Sequence, residues 1–119
     1  MKYFELSEAE CPCCNQTIPE SKAIWRFAEH IRELIGKPII ISSGFRCEEY
    51  NKRMHISSPK SKHLTGDALD IATGNLSPSD KYELLSEAIK WELRIGVYSR
   101  HIHVDYSPNQ EKILWVGKY

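Results

Sequence analysis

Two short segments of the 119-residue chain constrain its fold more than any others. They are Ser61-Lys62-His63-Leu64-Thr65-Gly66-Asp67-Ala68-Leu69-Asp70 and His101-Ile102-His103. His63 and Asp70 stand seven residues apart across Gly66. On a straight helix that spacing is about two turns and stacks both side chains on one face. Gly66 interrupts such a helix, and Ala68-Leu69-Asp70-Ile71 reads as extended. The favoured arrangement is a loop bearing His63 folded back over a strand bearing Asp70. His101 and His103 alternate with Ile102 and Val104, so a strand here turns both imidazoles, and Asp105 with them, to one face. Two imidazoles and a carboxylate drawn together suit one metal ion, because catalytic zinc sites use three protein ligands and leave a fourth position to water. The competing reading is a set of ordinary surface or core histidines. His30, on the exposed side of a helix, and His55, in a loop, are read that way.

The length fits a single domain, residues 1–119, with a sizeable core. Hydrophobic residues make up 41% and charged residues 27%, as in ordinary globular proteins. Sixteen basic and sixteen acidic side chains cancel, which argues against a nucleic-acid partner. The apolar run Pro38-Ile39-Ile40-Ile41 is too short to be a transmembrane segment. Met1 to Glu8 lacks the apolar core of a signal peptide, so synthesis in the cytoplasm is expected.

Ile24, Phe27, Ala28, Ile31, Leu34 and Ile35 fall at helical spacing, predicting a helix from Pro19-Glu20-Ser21 to a glycine cap at Gly36. Pro38 to Ser42 reads as a buried strand, and Cys47 to Met54 as a short helix. His55 to Lys62 reads as a surface loop, and Asp67 to Ala72 as a strand. Ser77-Pro78-Ser79-Asp80 is a helix start: a serine cap, a proline at the first position and an acid in the first turn. Leu84, Leu85, Ala88, Ile89 and Trp91 supply that helix's apolar surface. Arg94 to Tyr98, His101 to Tyr106 and Lys112 to Val116 read as three strands. Early helices and late strands predict an α+β domain with a mainly antiparallel sheet.

The cysteines are Cys11, Cys13, Cys14 and Cys47. Three readings stand: a structural zinc site using Cys11, Cys14 and Cys47, a disulfide from the turn to Cys47, or reduced thiols packed as small hydrophobes. A redox motif is disfavoured, because Pro12-Cys13-Cys14-Asn15-Gln16 does not open a helix in a βαβ setting.

Ser61-x-His63-x-x-Gly66-x-Ala68-x-Asp70 resembles the signature of the zinc D-alanyl-D-alanine carboxypeptidase and L-alanyl-D-glutamate endopeptidase family. That family shares the metal-binding fold of hedgehog signalling domains, with helices packed on one side of the sheet. Ile40-Ile41-Ser42-Ser43-Gly44-Phe45-Arg46-Cys47, followed by Asn51, is similar to its strand-turn segment bearing an active-site arginine. The likeness runs over roughly residues 5 to 106 and is to the small single-domain branch often carried by phages and prophages.

The resemblance implies a zinc ion held by His63, Asp70 and His103, and a monomer acting on peptidoglycan peptides through activated water. It assigns Arg46 to a substrate carboxylate or a developing oxyanion, a task suited to a permanently charged fork of donors. The alternative for Arg46 is a salt bridge with Glu48 or Glu49. His101 is placed beside the reacting carbonyl, Ser61 braces the loop, and Gly66 meets a backbone constraint. Family members often carry an acid three positions before the last ligand histidine, where this chain has Arg100. The general base is therefore open: Asp105 first, His101 second, with orientation of a ligand imidazole as another role for Asp105.

The leading expectation is a metallopeptidase that reaches the periplasm or cell wall by phage-type release. Motivated by Arg100, the alternative is a non-catalytic zinc-binding structural or assembly module of a phage particle.

Overall fold

The computed structural model describes residues 1–54 and 58–118. His55, expected in a loop, lies outside the described residues. A 3-10 turn at Leu6–Ala9 precedes α1 (Ala23–Ile35), β1 (Ile40–Ser43) and α2 (Glu48–Arg53). A second 3-10 turn, Lys62–Thr65, leads into β2 (Ala68–Ala72), α3 (Pro78–Lys90), β3 (Arg94–Val97), β4 (His101–Asp105) and β5 (Leu114–Val116). The strands form one sheet in the order β1-β2-β4-β3-β5. All its pairings are antiparallel except β3 with β5, so the α+β, mainly antiparallel architecture stands. The other edge of β4 is taken by β2, so the returning β5 adds to the free edge of β3, whose direction it shares.

Alternation divides the sheet into two chemistries. Leu69 and Ile71 of β2, Ile95 of β3, and Ile102 and Val104 of β4 enter the core with Ile24, Phe27, Ala28 and Ile31 of α1. Leu84 and Ala88 of α3 join them. The register sets Asp70 directly opposite His103, with Ala68 opposite Asp105 and Ala72 opposite His101. Direct partners in an antiparallel pair project from the same face, so the core pattern of Leu69, Ile71, Ile102 and Val104 commits Asp70 and His103 to the other.

Several expectations need correction. α1 starts at Ala23 because the Lys22 N–H bonds to the Pro19 carbonyl (3.1 Å), closing a turn first. It ends as expected at Gly36, in the left-handed region with φ 75°. Leu34 is exposed, outside the core stripe. The strand expected to be buried, β1, is an edge strand: Ile40 is 49% exposed, while Ile39 before it fills the core. α3 carries the expected serine capping box, yet Ile89 is 60% exposed. His30 is not simply solvent-facing. Its Nε2 meets Glu87 Oε1 (2.6 Å) and its ring lies 5.2 Å from Trp91, joining α1 to α3.

Candidate metal centre

His63 is fixed by local structure before any partner reaches it. The Ser61 hydroxyl accepts the His63 N–H (3.2 Å) at the start of the 3-10 turn. Gly66, at φ 73°, reverses the chain into β2 as a left-handed cap that residues with a Cβ rarely adopt. The Arg46 N–H bonds to the His63 carbonyl (3.1 Å), tying this turn to the segment after β1. His63 is 2% exposed, with Nδ1 2.7 Å from the Gly44 carbonyl oxygen. A carbonyl only accepts, so Nδ1 carries the hydrogen and Nε2 presents its lone pair. That lone pair faces Asp70 Oδ1 at 3.1 Å.

His103 is held by the same logic from the opposite side. Its Nε2 donates to Asp105 Oδ2 (2.8 Å), and Asp105 Oδ1 accepts from the Ser107 hydroxyl (2.7 Å). His103 Nδ1 then faces Asp70 Oδ1 at 3.0 Å. Two imidazole nitrogens thus converge on one carboxylate oxygen, and lone pairs so arranged repel unless a cation sits among them. The ligand atoms of His63, Asp70 and His103 all lie within 4.8 Å of one another. Zinc bonds of about 2.0–2.1 Å to N and O put tetrahedral ligand atoms about 3.3 Å apart, close to the separations here. The donor set fits zinc.

The charges agree with the geometry. Burial pushes the Asp70 carboxyl up, but the His103 and His63 rings, when protonated toward it, hold it well below the usual carboxylate range. Burial pushes the His103 imidazole down, and its bonds to Asp105 and Asp70 reverse that to a net rise.

Arg46 is buried against the second oxygen of the same carboxylate, with Nη2 3.2 Å from Asp70 Oδ2. Its Nε donates to Ser43 Oγ (3.1 Å) and its Nη1 to Asn51 Oδ1 (3.5 Å). Burial lowers its pKa while Asp70 opposes the change. Glu48 and Glu49, the alternative partners of Arg46, pair with Lys52 (3.0 Å) and Arg53 (2.7 Å). His101 Nε2 lies 3.8 Å from Asp70 Oδ2, and its ring stacks on Tyr98 at 4.5 Å. Burial pushes the His101 imidazole down, against the pull of Asp70, which favours its neutral form.

These groups line a cleft of about 920 Å³. One wall is Trp115 of β5, 5.4 Å from the His103 ring. It lies over Gly96, where a Cβ would come within 2.6 Å of the indole. Asp105 is 1% exposed and has both oxygens engaged, so its geometry favours orienting His103 over the role of base that the sequence placed first. Arg100 is exposed and caps no ligand; its carbonyl accepts the Thr73 N–H (3.0 Å).

Sequence reasoning missed the Gly44 carbonyl, Ser107, Tyr98 and Trp115. A backbone acceptor leaves no sequence signal, and Trp115 reaches the cleft only because β5 pairs with β3. Ser107 had one available signal: it sits two residues past Asp105, near enough to bond its carboxylate.

No curated protein matches the chain. The sequence pattern of the family described as Peptidase M15 matches residues 2–105, from the N-terminal segment to the end of β4. That span includes every residue of the histidine–carboxylate cluster and the arginine beside it, and on that match the chain belongs to the Peptidase M15 family of zinc peptidases.

Proposed function

We propose that this chain hydrolyses peptide bonds in peptidoglycan stem peptides, with zinc held by His63, Asp70 and His103. The convergence of His63 Nε2 and His103 Nδ1 on Asp70 Oδ1, at a cleft shared with Arg46 and His101, supports the reading. Zinc bound there supplies Lewis acidity toward the scissile carbonyl and lowers the pKa of water to about 7.

The protein's own groups do the rest. Arg46, oriented by Asp70, Ser43 and Asn51, offers fixed positive charge where the carbonyl oxygen gains electrons. It also suits the free carboxylates of wall peptides. His101, neutral and half-buried at the cleft, takes a proton from the attacking water and returns it to the leaving amine. Tyr98 fixes its ring by stacking. Asp105 holds the tautomer of His103 and stays out of proton transfer.

The non-catalytic zinc-binding phage module rests on one observation, the exposed Arg100 where relatives often place an acid. Zinc-loaded wild type and His103→Ala should be added to purified peptidoglycan and to permeabilised Gram-negative cells. Turbidity loss with wild type alone supports hydrolysis, and fragment masses separate removal of a terminal D-alanine from cleavage inside the stem. A wild type that holds zinc but releases no fragments across neutral pH supports the module. Action on the wall by release of the phage-lysis kind is tested by whether outside addition to intact cells fails while permeabilised cells lyse.

A further inference from the structure

We propose that Cys11, Cys14 and Cys47 form a second zinc site, structural in role. The turn Glu10-Cys11-Pro12-Cys13-Cys14-Asn15 is folded for this before Cys47 reaches it. The Asn15 N–H bonds to the Cys11 carbonyl (2.9 Å) and the Cys11 N–H to the Gln16 carbonyl (2.7 Å). Asn15 adopts φ 62°, the left-handed region, which closes the turn. Cys47 arrives from a segment 36 residues away, and its Sγ sits 3.8 Å from Cys11 Sγ. Zinc–sulfur bonds of about 2.3 Å put the sulfurs of a tetrahedral site about 3.8 Å apart. The sulfurs of Cys11, Cys14 and Cys47 all lie within 4.8 Å of one another.

Main-chain donors reach two of the three sulfurs. Cys11 Sγ accepts the Cys47 N–H (3.5 Å), and Cys47 Sγ accepts the Tyr50 N–H (3.4 Å). Burial raises the Cys11 thiol, but main-chain N–H groups of Cys47, Cys14 and Cys13 draw it down to about 7. Cys13 Sγ lies outside this group, 3.6 Å from the Arg53 guanidinium and 3.9 Å from Glu49 Oε2. Cys14 is exposed, as the outer ligand of a surface knuckle would be, whereas a thiol serving as a core hydrophobe is buried.

This site would hold the catalytic cleft from behind. Cys47 directly follows Arg46, and the Gly44 carbonyl that fixes His63 lies three residues before Cys47. The same two segments already meet where the Phe45 N–H bonds to the Ala9 carbonyl (2.8 Å), and a Cβ on Gly44 would overlap Ala9. A zinc staple between Cys11, Cys14 and Cys47 locks the N-terminal segment to the strand-turn that carries Arg46. It touches no group of the cleft.

The test is metal counting on the full chain, purified reduced and equilibrated with zinc. Wild type should hold two zinc ions per chain and the double variant His63→Ala/His103→Ala one. Loading that double variant with cobalt should give sulfur-to-cobalt charge-transfer absorption, and its thiols should resist a thiol reagent until a chelator is added. Cys47→Ser should lose one zinc of the two. Because Cys47→Ser may be judged only if it folds, the histidine double variant decides the matter: no bound metal and freely reactive thiols in a folded chain would overturn the site. A Cys11–Cys47 disulfide found by mass spectrometry in protein kept under reducing conditions would also overturn it. The outcome is independent of peptidase activity, so it stands or falls apart from the proposed function.

Discussion

Asp105 Oδ2 accepts a hydrogen bond from His103 Nε2 at 2.8 Å, which leaves Nδ1 of the same ring aimed at Asp70 Oδ1. The pair lies on one strand, two residues apart, and Ser107 secures the other Asp105 oxygen. Asp105 therefore fixes which nitrogen of His103 faces Asp70.

Asp105→Asn keeps the shape but lets an amide N–H face the imidazole. Zinc affinity at the histidine–carboxylate site should fall about 10- to 100-fold, the usual effect of losing such a supporting contact. Competition with a chromophoric chelator checks this, best in a background lacking the cysteine ligands. An unchanged affinity would remove Asp105 from the positioning role.

Arg46→Lys keeps a positive charge and loses the fork that spans Asp70, Ser43 and Asn51. Zinc content should be unchanged while kcat/KM on peptidoglycan fragments drops about 100-fold, the scale of a lost oxyanion donor. A drop confined to KM would place Arg46 on substrate carboxylates instead.

Protons and zinc compete at His103. Its folded pKa lies above the ordinary 6.5, so its bonds to Asp105 and Asp70 stabilise the metal-free fold below that value. The contribution is lost as pH rises through the raised pKa. Zinc needs Nδ1 free of its proton, so the metal gains hold over the same interval. Chelator-treated protein should lose thermal stability as pH rises above about 6.5, while zinc-loaded protein does not, and the gap in Tm should widen. A gap independent of pH would contradict this. Asp70 acts at the other end: its depressed pKa gives stability above the ordinary 3.8 that is lost only as acid takes the pH below it.

Gly96→Ala forces a methyl against the Trp115 indole, where the nearest ring atom is 2.6 Å away. Overpacking of this kind costs about 1–3 kcal/mol. Denaturant unfolding should show the loss, and the tryptophan emission of the folded state should shift. Zinc content should persist, because no ligand is moved directly.

Much of this fold is legible in the sequence where local chemistry decides. Gly36 and Ser77 marked helix ends correctly, and the alternation His101-Ile102-His103-Val104 placed two imidazoles on one face without any structure. Strand pairing is decided elsewhere. Pro38 to Ile41 looks like an interior strand by composition, yet β1 sits at an edge because β2 pairs on its other side with β4. The site divides the same way. Spacing and resemblance singled out His63, Asp70 and His103, and the fold brings their ligand atoms within 4.8 Å of one another. The engagement of both Asp105 oxygens by His103 and Ser107, and the pairing of Arg46 with Asp70 and not Glu48 or Glu49, are visible only in the distances.

Trp115 stands ten residues past the end of the family match, on a strand held to the sheet by β3 alone. One wall of the cleft therefore comes from a part of the chain that the family match does not reach. On the proposed function, exchanging β5 would reshape that wall, as a lock is recut by changing its wards, while His63, Asp70 and His103 keep their places.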